Sequence, residues 1–245
     1  MQLFISNRFQ LQGKNITIND ERIIYQCRKV LRYKPGDSFV LQSEDKRYTI
    51  EIGSRDKKPL QWTVISTQEY SPPKETGNRQ FTGPEAKQIT GNHLIVAMTN
   101  KRDKMELICQ KATEIGIDTI GIRTSKRSVI QIIWDNKVDR LKTICLEAAE
   151  QSRNRHVPTI TFTKSIKDLP PSFVAYQDGV PLQESLKLEA WNRNSLIVWP
   201  EWGFEPSELE YFEQHNFPFI KLGDSILRTE TAAIIGAWQL KNYER

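Results

Sequence analysis

From residue 93 onward, short apolar runs alternate with amphipathic stretches, and this alternation limits the fold more than any other feature. Segments 93–98, 119–122, 173–176, 195–199 and 219–222 are rich in Val, Ile, Leu and Phe and read as strands. Between and after them, 104–115, 136–152, 206–216 and 229–241 read as helices, the first with Met105, Ile108, Ala112 and Ile115 on one face. Gly116 stands where a helix C-cap belongs, and Glu205 or the residue before it where an N-cap does. Repetition of strand then helix predicts an α/β domain with a mainly parallel sheet covered on both faces.

The front of the chain follows another rule. Residues 39–42, 48–52 and 61–66 are runs of β-formers, and Pro35-Gly36-Asp37 reads as a turn. One short helix opens at Asn19 or Asp20 and reaches about Val30-Leu31. Several strands and one helix in residues 1–70 predict a small β-barrel. Residues 71–92 are polar, with three prolines and three glycines, and read as a linker. The domain reading is therefore 1–70, a linker at 71–92, and 93–245.

Composition removes several classes. With 38% apolar and 27% charged residues the chain can bury a core as a globular protein. No run approaches the roughly 18–20 apolar residues of a membrane span, and the start lacks the pattern of a signal peptide, so a cytoplasmic location is expected with no membrane partner. Cys27, Cys109 and Cys145 are far apart, with no CxxC and no histidine at zinc spacing, so no metal site is expected. The net charge of +5 lies wholly in residues 1–90, which hold 15 Lys/Arg against 10 Asp/Glu. A second basic stretch, 101–155, has 12 against 8. Basic regions of this kind suit a polyanion.

In an open α/β sheet ligands bind beyond the carboxyl ends of the strands. Three such segments stand out: 198–204, 222–231, and the loop Gln177-Asp178-Gly179 expected after Tyr176. Arg228 lies just before a helix that Thr229 begins, where the helix dipole favours anions. A cation there is held for an acidic partner, either a ligand or the neighbouring Glu230. Lys126 and Arg127, among the hydroxyls of Thr124, Ser125 and Ser128, suit a phosphate or nucleobase. Glu147 and Gln151 share a helical face, as a salt-bridged helix end or as polar support for a site. No P-loop, GxGxxG or GxSxG occurs, and His93, His156 and His215 have no partners at catalytic spacing.

The run from Lys101 to Ile117, Ser125-Lys-Arg-Ser-Val, Glu147-Ala-Ala-Glu-Gln-Ser-Arg, Val157-Pro158, Pro200-Glu201 and Leu222-Gly-Asp-Ser-Ile-Leu-Arg-Thr-Glu-Thr-Ala closely resembles RsmE-type 16S ribosomal RNA uridine-N3-methyltransferases. Val30-Leu31-Arg32 with Gly36-Asp37 resembles that family's N-terminal PUA-like domain. The resemblance spans nearly the whole chain in order. It implies a PUA-like RNA-binding barrel followed by a SPOUT domain with a deep trefoil knot, and a homodimer acting on 16S rRNA of the small ribosomal subunit. It implies S-adenosylmethionine (SAM) as cofactor, held by Val198, Trp199, Pro200, Glu201, Trp202 and Gly203 on one loop. On the other loop the holders are Leu222, Gly223, Ile226, Leu227 and Thr229. Arg228 and Arg127 are expected to stabilise the anionic base, Glu201 to orient, and Arg28, Lys29, Arg32, Lys126 and Arg127 to touch RNA.

The chain departs from the family where the glycine-rich loop, roughly I-G-P-E-G-G, has Trp199 and Trp202 at two glycine positions. Gln26 replaces a histidine, and an early arginine is not evident around Gln2-Leu3. Two accounts of the tryptophans follow. One is a non-catalytic RNA-binding dimer that has lost SAM. The other is a gene whose UGA codons mean glycine.

Overall fold

The structure, a computed structural model, describes residues 1–53, 61–69, 91–99, 101–123, 135–154, 156–187, 194–200 and 203–242. The chain divides into two compact units. One is Met1–Glu75 with Glu150–Arg155, the other Thr76–Ala149 with His156–Arg245.

The first unit is built on a six-stranded sheet of β1 (Leu3–Ile5), β2 (Phe9–Gln12), β3 (Asn15–Ile18), β4 (Ser38–Gln42), β5 (Lys46–Ile52) and β6 (Gln61–Glu69). The strand order is β1-β4-β5-β6-β3-β2, antiparallel except for the β1–β4 pair. Alternation along the strands sends Phe4, Ile16, Ile18, Phe39, Leu41, Ile50 and Trp62 into one core. Phe39 is its centre, with Phe4 and Trp62 edge-on at 5.3 and 5.1 Å. The expected helix is present but changes winding. α1 (Glu21–Tyr25), capped by the Asp20 carboxylate on Arg22 N, continues as a π-helical turn over Gln26–Val30. Glu150, counted with this unit, is buried; it accepts Ile5 N at 2.8 Å and pairs with Arg22 at 2.7 Å.

The second unit alternates as the sequence requires. In chain order it has β7 (His93–Ala97), α2 (Arg102–Ile115), β8 (Thr119–Arg123), α3 (Asp135–Ser152), β9 (Thr159–Thr163) and β10 (Phe173–Pro181). These are followed by α4 (Leu182–Lys187), β11 (Ser195–Val198), α5 (Pro206–Gln214), β12 (Phe219–Lys221) and α6 (Thr229–Asn242). The sheet runs β12-β10-β11-β7-β8-β9, with every pair parallel. Period-two alternation splits the core. Leu94, Val96 and Leu196 face one layer with Ile108 of α2 and Ala233 of α6, while Ile95 and Ile197 face the other with Phe212 of α5. Gly116 caps α2 at φ 94°, a left-handed position that glycine takes without a steric penalty.

One expectation is corrected. The segment after Tyr176 is not a loop leaving the strand, because β10 continues to Pro181. Ala175 and Val180 both pair with Ile220, so residues 176–179 bulge out of the ladder while pairing with β12 resumes. The close return explains the glycine: a Cβ on Gly179 would lie 2.6 Å from the backbone of Ile220.

Candidate functional site

β10, β11 and β12 are neighbours, so the segments beyond β11 and β12 emerge at one end of the sheet. Val198 ends β11 fully buried. Trp199 follows, half-buried, with its indole packed against both core layers. Its φ is outside the left-handed region, so the backbone at 199 does not require glycine. Pro200 is buried, and its carbonyl accepts Gly203 N at 2.9 Å; Gly203 itself has φ 77° and faces open space where a Cβ would be. Phe204 then re-enters the core, edge-on to Phe212 at 5.4 Å. Glu205 N-caps α5, its N–H donating to the Glu208 carboxylate at 2.9 Å in a capping-box arrangement.

Beyond β12, Leu222 is buried and Gly223 faces open space. Ile226 is 81% exposed, and Leu227 packs half-buried on the core. Of the two acidic partners expected for Arg228, the neighbouring Glu230 is engaged elsewhere. Glu230 pairs with Lys104 of α2 at 3.4 Å, and Arg228 is exposed with no side-chain partner among the described residues. Next to it, Thr229 is 3% exposed, and its hydroxyl finds no hydrogen-bond partner among those residues. A buried hydroxyl left unpaired costs roughly 1–3 kcal/mol, so a ligand that meets it restores that loss.

Of the expected site residues, Glu201, Trp202, Lys126 and Arg127 lie outside the described residues. In the first unit Lys29 and Arg32 are exposed and Arg28 half-buried; Arg32 adopts φ 51° directly after the π-helical turn, and Tyr25 and Val30 are exposed beside them. Gln151 is exposed and Glu147 half-buried, the arrangement of a helix surface. All three cysteines are free and buried, and burial pushes the Cys27 thiol up to about 12. Among the described residues no cluster of three metal-ligating side chains occurs. Sequence reasoning missed the buried Arg123–Glu208 ion pair, Nη1 to Oε1 at 2.7 Å, which joins the end of β8 to the first turn of α5. The one visible signal was an arginine closing the otherwise apolar run Thr119-Ile-Gly-Ile.

An all-parallel sheet with helices between its strands makes the second unit an open α/β domain, with the segments beyond β11 and β12 at the ends where such folds take ligands. Solved structures share the fold over nearly the whole chain. A methyltransferase from Legionella pneumophila crystallised with bound SAM matches at TM-score 0.77 and 20% identity, covering 99% of this chain and 98% of its own. A ribosomal RNA small subunit methyltransferase E from Neisseria gonorrhoeae, also bound to SAM, matches at 0.73 and 20%, covering 98% and 97%. Residues 87–240 match the RNA methyltransferase domain family. The ribosomal RNA small subunit methyltransferase E 2 of Borreliella burgdorferi is 28% identical over 240 residues, 91% of this chain and 90% of the relative. The corresponding methyltransferase E of Bacillus subtilis is 27% identical over 229 residues, 86% and 84%. The chain belongs to the RNA methyltransferase domain family, in its RsmE branch.

Proposed function

We propose that this chain transfers a methyl group from SAM to N3 of a uridine in 16S rRNA of the small ribosomal subunit, acting as a cytoplasmic homodimer. The observation that carries the reading is the junction before α6. There an exposed Arg228 stands beside the buried hydroxyl of Thr229, and neither has a side-chain partner among the described residues. The site fits SAM: besides that hydroxyl, Gly203 and Gly223 leave open space on the two segments flanking β10. Residues 198–203 and 222–229 would hold the cofactor, which when bound supplies an electrophilic methyl group on a sulfonium. Two relatives of the same fold were crystallised with it.

The chain's own residues then have defined tasks. Uridine N3 would attack only after giving its proton to solvent water, which leaves negative charge over N3 and the flanking carbonyl oxygens. Arg228 and, from the basic segment, Arg127 stabilise that anion, preorganised positive charge of this kind being worth about 3–4 kcal/mol per group, and Glu201 orients the nucleotide. Residues 1–70 act as a PUA-like RNA-binding domain, 71–92 as a linker and 93–245 as the catalytic domain with a deep trefoil knot. Support for RNA binding comes from exposed Lys29 and Arg32 near exposed Tyr25, basic side chains with an aromatic ring on which a base can stack. Lys126 of the second unit is a separate proposed RNA contact. Homodimerisation is supported by α6, apolar on most sides yet with Trp238 56% exposed.

The test is calorimetric titration with SAM, followed by methyl transfer to 16S rRNA. Micromolar binding, roughly −8 kcal/mol, and labelled uridine-N3 product are expected. In Arg228→Ala, kcat should fall about 100-fold with SAM affinity kept; an unchanged kcat at saturating SAM would remove Arg228 from the reaction. The half-buried indole of Trp199 favours one other reading, a non-catalytic RNA-binding dimer. That reading is selected if SAM does not bind while RNA does. Restoration of SAM binding by Trp199→Gly with Trp202→Gly would place the defect in this loop.

A further inference from the structure

We propose that Arg123 is a positioning residue for the cofactor loop, acting through Glu208; the inference rests on the SAM-dependent reading above. Arg123 closes β8 and is 2% exposed, among the largest fully buried side chains. Its Nη1 donates to Glu208 Oε1 at 2.7 Å, and the other oxygen of that carboxylate accepts Glu205 N at 2.9 Å. Glu205 is the N-cap of α5 and follows directly on Gly203 and Phe204, the outgoing leg of the loop that starts at Trp199. The incoming leg is fixed by the Trp199 indole, wedged between the two core layers. Each foot of the loop is therefore anchored, one by packing and the other by a chain of two hydrogen bonds that begins on a strand two places away in the sheet.

Stability alone does not account for this arrangement. A buried ion pair is commonly matched or bettered by apolar residues of the same volume, because desolvation offsets the attraction. Here the arrangement also leaves Arg123 Nη2 buried with no hydrogen-bond partner among the described residues, an added penalty. What the pair does supply is directional: two fixed donor–acceptor lines that set where α5 begins and so where Gly203 turns. Arg123 also directly precedes the segment bearing Lys126 and Arg127, so one guanidinium stands at the base of the basic segment and holds the foot of the cofactor loop.

The test is Arg123→Met combined with Glu208→Gln. This double variant removes both charges, yet its Gln oxygen still accepts Glu205 N, so the cap of α5 survives. Expected are a folded protein, a SAM Kd raised about tenfold by calorimetry, and kcat at saturating SAM within about twofold, since a displaced loop weakens ground-state and transition-state binding alike. Arg123→Lys, which keeps a donor for Glu208, should recover most of the affinity. A folded double variant with SAM affinity unchanged overturns the proposal and leaves the pair a purely structural contact. Should the wild-type chain itself bind no SAM, the reading of the function fails instead. Hydrogen exchange then decides the positioning role: faster exchange at the amides of Gly203 and Phe204 in the double variant upholds it, and equal protection overturns it.

Discussion

Two adjacent side chains where α6 begins have opposite solvation and one property in common: the chain gives neither side chain a partner among its described residues. Arg228 can wait in water at little cost, whereas the Thr229 hydroxyl is held out of water. That asymmetry yields a diagnostic variant. Thr229→Val removes an unsatisfied polar atom at nearly constant volume, so the free protein should gain about 1 kcal/mol in denaturant unfolding. If the hydroxyl serves SAM, the same variant binds SAM about tenfold more weakly; a stabilised variant with full SAM affinity would show that the hydroxyl is not a cofactor contact. Gly179 gives a second test. Its missing Cβ would meet the Ile220 backbone at 2.6 Å, and backbone cannot swing aside as a flexible side chain can. Gly179→Ala should cost about 1–3 kcal/mol, read as a lower thermal midpoint, and no loss would mean that the bulge of β10 relaxes freely.

At the scale of the elements, caps and periodicity made the larger pieces legible. Gly116 ends α2, Glu205 opens α5, and the apolar spacing of 104–115 survives as a buried face. The three- and four-residue strands β1, β2 and β3 were not legible, because their pairing is set by partners elsewhere in the sheet and their length is too short for a pattern. β9 escaped because it is an edge strand, half exposed, with no continuous apolar run. Gln177-Asp178-Gly179 has the chemistry of a turn, but contact with β12 overrides that local preference. The segments after β11 and β12 were legible from sequence as connections at strand ends, while the Arg123–Glu208 pair was not, since 85 residues separate its members. Glu150 supplies the pH test. Burial pushes its carboxyl above the ordinary 4.5, with Arg22 and Ile5 N pulling the other way. The folded state thus holds the proton more tightly than the unfolded one. Stability from this group is fully present below about 4.5 and is lost as pH rises through the elevated value. Measured against Glu150→Gln, the wild type should lose relative stability as pH is raised from about 4.5 toward neutrality; a pH-independent difference would show that Arg22 cancels the burial.

Among the described residues, α6 and the loop before it each carry a large exposed apolar side chain. Trp238 projects from α6, and Ile226 from the loop before it. A second copy of the chain is the proposed cover, and a charge placed there should prevent it. Trp238→Glu is expected to sediment as a monomer with its thermal midpoint close to that of the wild type once the dimer contribution is absent. A dimer that persists in this variant would place the interface elsewhere.

The central position of β11 also has a consequence in time. β7 is buried along its whole length, yet the strand that flanks it on one side is β11, made about a hundred residues later in the chain. At roughly 5–20 residues per second of synthesis, that flank of His93–Ala97 spends several seconds as an open, apolar edge. During that interval it is a template for any other extended chain. Yield in the cell is therefore governed by how well this edge is shielded while the ribosome works, so faster elongation between residues 98 and 195, or a chaperone that covers short apolar strands, should raise soluble yield without altering the finished fold.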